Sequence, residues 1–228
     1  MAGEKLTHIG FIADGNRRWA RERGLPTFEG HRRGFDRVDE IVDYLKNSDE
    51  VKFASFFVFS TENWDRSAEE IDYLMNLLSK KIGSLAKKAQ RENLRIVLMG
   101  RPEPVDPELW QRIKQAEADT ANNTGLNVIF CFNYGGHWEI ADAANKAIQA
   151  GEQNISPETF RKYLYHPEVP DCDLIIRTSG EERISGFQLW RAAYSEFLFL
   201  KKHYPDITPE DVEMAIAEFH TRQRRFGK

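Results

Sequence analysis

Apolar positions along the chain follow two alternating rhythms. Short runs that are apolar at nearly every position read as strands buried on both faces, and longer stretches with apolar residues every third or fourth position read as helices. Ile9 to Ala13 is the first strand, and Arg17 and Arg18 open a helix after it. His31 to Asn47 carries Phe35, Val38, Ile41, Val42 and Leu45 at helical spacing. Lys52 to Phe59 is a Phe- and Val-rich strand. Ser67-Ala68-Glu69-Glu70 has the form of a capping box and opens a long helix with Ile71, Leu74, Leu77, Leu78, Ile82 and Leu85. Leu94 to Met99 is the third strand. Asp106-Pro107 starts a helix to Ala121, with proline at the first position. Asn123-Thr124-Gly125 turns into the strand Leu126 to Phe132, and a helix follows Gly135-Gly136 and ends near Gly151. Ser156-Pro157 starts a short helix, Leu174 to Ile176 and Phe197 to Leu200 are the last two strands, and Thr208-Pro209 starts the final helix.

This alternation predicts an α/β fold, one domain over residues 1–228 with a mainly parallel six-stranded sheet flanked by helices. No linker, internal repeat or low-complexity tract interrupts it. Ligands of such sheets sit beyond the carboxyl ends of the strands. The polar segments fall there: Asp14 to Arg18, Ser60 to Arg66, Asn133 to Gly136 and Arg177 to Ser185 follow the first, second, fourth and fifth strands.

Composition narrows the ligand. The net charge of −4 opposes a generally basic nucleic-acid binder. Yet Arg17, Arg18, Arg21, Arg23, Arg32, Arg33 and Arg37 crowd one region, and Arg222, Arg224, Arg225 and Lys228 another. Local arginine clusters on an acidic protein suit small anionic ligands. The two cysteines, Cys131 and Cys172, have no zinc or CxxC spacing and are expected to be free thiols. Residues 1–6 lack a signal-peptide core, and no apolar run reaches the ~20 residues of a membrane span. The expectation is a soluble, cytoplasmic protein, with a peripheral membrane visit left open.

Several segments carry candidate chemistry, each with a plainer structural alternative. Asp14-Gly15-Asn16-Arg17-Arg18-Trp19 combines a carboxylate, a turn and forked donors at a helix start. It fits a Mg²⁺-assisted phosphate site, or equally a helix cap with a solvated basic face. His31, read at the start of the next helix, is a phosphate donor or a surface histidine. Ser60, Thr61, Glu62, Asn63, Trp64 and Arg66 form a polar loop that either covers a ligand or caps the core edge. Arg177, Arg183, Ile184 and Ser185 suit a second diphosphate, or an ordinary charged loop. Glu196 is a strand-end residue or a second metal ligand. Walker, dinucleotide-fingerprint, HExxH and GxSxG patterns are missing, as is DDxxD.

Together and in order, these segments resemble the cis-prenyltransferases, whose bacterial type is undecaprenyl diphosphate synthase. The carriers are Asp14 to Ala20, Gly30-His31, Phe59 to Trp64 with Arg66 and Glu70, Asn133 to Gly136, Arg177 to Glu181, Arg183 to Ser185, Trp190, Tyr194, Glu196, and Arg224 to Gly227. The resemblance implies that Asp14 is the essential acid and binds Mg²⁺, assisted by Glu196. It implies that Gly15, Asn16, Arg17, Arg18 and His31 hold an allylic diphosphate, and that Arg177, Arg183 and Ser185 hold isopentenyl diphosphate. Residues 60–66 would be a mobile loop beside both, with Asn63 orienting the substrates and a diphosphate oxygen taking the proton. It further implies a homodimer whose C-terminal Arg-Phe-Gly approaches the partner's site. The chain departs from the bacterial pattern at Ala13, Arg17, Thr27 and Glu182, where Met, Gly, Arg and His are common. An apolar tunnel between sheet and helices would hold the growing chain. Phe56 and Val58 opposite Val128, Phe130 and Phe132 would narrow it, implying a product shorter than undecaprenyl; if these side chains point into the core, undecaprenyl-type synthesis is implied. A non-catalytic partner subunit is the competing class, opposed by the presence of Asp14. A nucleotide- or nucleic-acid-binding α/β protein is another.

Overall fold

β1 (His8–Ile12) and β2 (Phe53–Ser60) run side by side at the centre of a six-stranded sheet in the computed structural model, which describes residues 5–222. β3 (Arg95–Met99) and β4 (Asn127–Tyr134) extend the sheet beyond β2, and β5 (Leu174–Arg177) and β6 (Glu196–Phe199) extend it beyond β1. The order is β3-β4-β2-β1-β5-β6 and every pair is parallel. Parallel strands need crossovers, and helices supply most of them. These are α1 (Asn16–Glu22), α2 (Thr27–Leu45), α3 (Ala68–Arg91), α4 (Pro107–Asp119), α5 (Gly136–Gln149), α6 (Pro157–Arg161) and α7 (Pro209–Thr221).

Side chains alternate across the sheet. Ile9 and Phe11 of β1 join Val38, Ile41, Leu74, Leu78, Ile113 and Phe219 in the larger core under α2, α3, α4 and α7. Ile12 joins Cys131, Tyr134, Ile175 and Phe187 in a smaller core on the other face. Both cysteines are free and buried. β2 breaks the alternation. Its pairing with β4 shifts after Phe57, so Val58 and Phe59 both pack toward the larger core. Such a bulge re-aims the strand end next to a site.

Two expectations need correction. α2 starts at Thr27, not at His31. A Cβ on Gly30 would stand 1.9 Å from the Asn16 carbonyl oxygen, so this glycine sits inside α2 and lets α1 lie against it. The Ser67–Glu70 capping box does not form: Ser67 makes no side-chain cap bond. The box forms instead at Ser60 and Asn63, at the head of a 3-10 turn over Thr61–Asp65.

Candidate active site

Asp14 follows β1 directly, and its backbone is strapped to the segment after β5. Its carbonyl accepts the Thr178 and Ser179 hydroxyls at 2.7 and 3.0 Å. Gly15 next to it has φ +96°, and a Cβ there would meet Ser179 Oγ at 1.8 Å. Only glycine fits that left-handed turn under that strap. The carboxylate of Asp14 accepts Arg177 at 2.7 Å on one oxygen and Arg18 at 3.2 Å on the other. Burial pushes its pKa up, but the bonds and charges of Arg177 and Arg18 override this and hold it below the usual value. It is therefore ionised at neutral pH.

Arg177 is nearly buried at 4% exposure. It also donates to Ser185 Oγ at 2.9 Å and to the Arg183 carbonyl, and its Nε has no hydrogen-bond partner among the described residues. The loop it anchors is strained: Ser179 and Ser185 have φ of +75° and +48°, unusual for residues other than glycine. Arg18 reaches Glu181 at 2.7 Å and Arg183 reaches it at 2.5 Å, so Glu181 joins the two arginine groups. Ile184 packs its side chain against the smaller core and so pins this loop.

A second knot lies across Asp14. Glu70, at the start of α3, meets Arg66 at 2.9 Å, His31 at 3.1 Å and Arg17 at 3.4 Å. One carboxylate thus gathers two arginines and a histidine from α1, α2 and the β2–α3 connection. Burial and the nearby Arg66 charge lower the His31 pKa despite Glu70, so the ring is neutral at pH 7. Burial likewise lowers Arg66. Lying within α2, His31 offers its side chain, not a helix-end N–H. The sequence pattern marked Glu70 only as part of a capping box and of the resemblance. Beyond Arg66 four positions before it, its gathering role depends on His31 and Arg17, 39 and more positions away.

The polar loop is built as a braced turn. Asn63 Oδ1 accepts the Ser60 N–H at 3.1 Å, Thr61 donates to Glu62 at 3.0 Å, and Trp64 Nε1 donates to Asn133 Oδ1 at 2.8 Å. Asn133 also donates to the carbonyls of Arg101 and Glu103, so it ties this loop to the β3 end. Asn133 was not among the expected site residues. Two expected ones stand apart from the site's bonds. Trp19 commits its indole N–H to Asp206 at 2.7 Å and is stacked under Arg23. Glu196 is the first residue of β6, opposite Leu174, at the amino ends of the parallel strands. Asp14 lies beyond their carboxyl ends, about 16 Å away along the strand direction at ~3.3 Å per residue. Within one chain Glu196 therefore cannot share a metal with Asp14; it binds Arg222 at 2.9 Å instead.

Among the described residues no three His, Cys, Asp or Glu side chains converge as a metal cage. Asp14 alone fits Mg²⁺, which commonly takes one or two carboxylates and completes its shell with water and substrate phosphates. Arg224 to Gly227 lie outside the described residues.

Behind the polar knot the space becomes apolar. A cavity of about 330 Å³ lies between the sheet and α2 and α3, lined by Phe35, Val38, Val58, Leu78, Phe130 and Phe132 among others. A smaller cleft touching Asn16 and His31 shares Phe35, Val38 and Val58 with it. So Val58, Phe130 and Phe132 line the cavity as expected for a tunnel, whereas Phe56 and Val128 do not. Phe56 is fully buried, stacked on Phe11 at 5.0 Å, and Val128 is buried in the same core.

A family model described as "Putative undecaprenyl diphosphate synthase" matches residues 12–227. The isoprenyl transferase of Thermotoga maritima is 42% identical over 224 residues, covering 96% of each chain. That of Neisseria gonorrhoeae is 41% identical over 221 residues, covering 97% of this chain and 89% of its own. Among solved structures, lavandulyl diphosphate synthase from Lavandula x intermedia, in complex with dimethylallyl diphosphate, superposes with a TM-score of 0.91 at 30% identity, covering 97% of this chain and 98% of that one. A probable undecaprenyl diphosphate synthase from Campylobacter jejuni gives 0.84 at 28%, covering 99% and 100%.

Proposed function

Because the chain belongs to the undecaprenyl diphosphate synthase family of prenyl-transferring enzymes, we propose that it elongates an allylic diphosphate, farnesyl or geranyl, with isopentenyl diphosphate to a Z-polyprenyl diphosphate. The observation that carries this reading is that the cleft at Asn16 and His31 adjoins the apolar cavity, with Phe35, Val38 and Val58 as walls of both. A ligand with a charged head and a branched hydrocarbon tail matches both ends of that space.

Gly15, Asn16, Arg17, Arg18 and His31 hold the allylic diphosphate. Arg177, Arg183 and Ser185 hold isopentenyl diphosphate. The exposed ends of Arg17, Arg18 and Arg183 exchange their carboxylate partners for phosphate oxygens, while buried Arg177 stays fixed by Asp14. Asp14, together with substrate phosphate oxygens, would hold Mg²⁺, which would supply positive charge near the leaving group. As the allylic C–O bond breaks, the electron pair leaves on diphosphate oxygen, where the arginines stabilise it. The double bond of isopentenyl diphosphate forms the new C–C bond, and a proton lost to a diphosphate oxygen restores an alkene in cis geometry. Asn63 and the braced loop around it hold the two substrates in line. The product is read as undecaprenyl-type carrier lipid, and the alternative, a short- or medium-chain product, is supported by Phe130 and Phe132 standing in the cavity wall.

The test is Mg²⁺-dependent incorporation of labelled isopentenyl diphosphate onto farnesyl diphosphate, with Asp14→Ala as control. Wild-type incorporation that collapses in the variant is expected. No wild-type incorporation, or full turnover by Asp14→Ala, would overturn the assignment. Product sizing in the same assay decides length, and a dominant C55 product refutes the shorter chain.

A further inference from the structure

Between α1 and α2 the chain turns through an elbow in which Arg21 to Pro26 are all exposed. Gly24 sits there at φ +64° with open space where a Cβ would be. Two large apolar side chains on this elbow, Leu25 and Phe28, remain 40% and 45% exposed. Phe28 places its ring 5.1 Å from Tyr73 of α3. Further along, Lys81 meets Asp36 at 3.0 Å and Lys88 meets Asp43 at 2.9 Å, both across 45 residues of sequence, the spacing of Phe28 and Tyr73 as well. α2 and α3 therefore run parallel, with the apolar cavity beneath them. The aromatic pair closes this seam at the catalytic end, about one helical turn from the His31–Glu70 contact.

Six arginines and two glutamates lie between Arg17 and Arg33, and five of the arginines, Arg17, Arg18, Arg23, Arg32 and Arg33, pair with carboxylates. Arg23 and Arg32 stay 41% and 48% exposed even when paired, and Arg21 has no ion-pair partner among the described residues. Glu69 and Asp72 flank Tyr73 on α3, so an anionic surface would meet the elbow and not the start of α3. Two separate apolar side chains fall far short of the roughly 800 Å² per partner of a stable protein interface. They do suit shallow insertion into a bilayer, with arginines at the headgroups.

We propose that the elbow Arg21–Phe28 docks on an anionic lipid surface, with Leu25 and Phe28 inserted and Arg21, Arg23 and Arg32 at the headgroups. Docking there would hold the catalytic end of the α2–α3 seam against the lipid; that purpose rests on the prenyl-elongation reading, and the contact itself does not.

Flotation of the full chain with phosphatidylcholine vesicles, with and without 30% phosphatidylglycerol, tests the proposal. Wild type should float with the anionic vesicles only, and less at 0.5 M salt. Leu25→Ser/Phe28→Ser and Arg21→Glu should each weaken partitioning about tenfold or more. Transfer of one isopentenyl unit to a soluble primer should be unchanged in both. Lack of wild-type flotation, or undiminished flotation of the variants, overturns the docking. So does conversion of an oligomer to monomer by the double variant, which would make the patch a protein interface. Absent transfer activity in the wild type would strike the proposed function and leave the vesicle result standing.

Discussion

Replacing Glu70 by glutamine tests whether one carboxylate organises the allylic cradle. The Glu70 side chain is 12% exposed and lies within 3.4 Å of Arg66, His31 and Arg17. A charge pair at such distances is worth about 5–6 kcal/mol at an effective dielectric of ~20, before desolvation is subtracted. Removing one partner of a buried pair costs about 3–5 kcal/mol. Arg17 is 45% exposed, so its contact is screened to below about 1 kcal/mol. His31 is neutral and gains only a hydrogen bond. Arg66 therefore dominates, and because glutamine keeps one acceptor, the net loss should be about 2–3 kcal/mol. Part of it will appear as a lower urea midpoint. The rest should appear as a fall of at least tenfold in kcat/KM for the allylic diphosphate, since Arg17, His31 and Arg66 lose their common anchor. A third readout separates positioning from packing. Burial lowers the His31 pKa, Arg66 and Arg17 lower it further, and Glu70 raises it. Glu70→Gln must therefore move the His31 titration, followed by NMR, further down. An unmoved or upward-moving titration, or wild-type kinetics, would refute the gathering role.

Three further outcomes are expected. Gly15→Ala should lose more than about 1–3 kcal/mol of stability and most of the activity, because its Cβ would overlap Ser179 and His203 at a left-handed φ; a variant with the wild-type thermal midpoint would contradict this. Phe132→Ala should open the cavity floor, lengthen the product ladder on thin-layer sizing and cost about 3–5 kcal/mol, whereas an unchanged ladder would place Phe132 outside the chain's path. His8 is driven to a pKa of about 4, chiefly by burial with a smaller push from Arg191, so it is neutral in the fold. The unfolded chain takes up the proton below about 6.5, so this contribution is complete above that pH and is lost as pH falls toward 4. It amounts to about 3 kcal/mol. Urea midpoints should thus fall less between pH 7 and 4.5 in His8→Gln than in wild type.

The sheet was legible because buried parallel strands write themselves as apolar runs. Each expected strand is found with its ends moved by at most two residues, except that no pattern marked the bulge at Val58. That bulge depends on how β2 pairs with β4, a non-local fact. It decides that Phe59, which strict alternation would send to the smaller core, packs beside Val58 toward the larger one. The arginine-bearing strand ends were legible for the same reason: topology sends every carboxyl end to one side of the sheet. Glu70 was half legible. Its spacing from Ser67 has the form of a capping box, but Arg66 and His31 compete for the carboxylate with charge-assisted bonds and win.

The same topology explains why Glu196 stands apart from Asp14 within one chain. A carboxylate beside an apolar strand is an equally good metal ligand at either end of that strand. In a sheet whose strands all run one way, however, only the carboxyl end reaches the site, and Glu196 opens β6 where Asp14 lies past the close of β1. Within one chain Asp14 is thus left with Arg177 and Arg18, not with a second carboxylate. A lone carboxylate cannot hold a divalent ion firmly without substrate oxygens. Metal affinity should therefore depend on the diphosphate being present, and the cation and the substrate should bind as one unit.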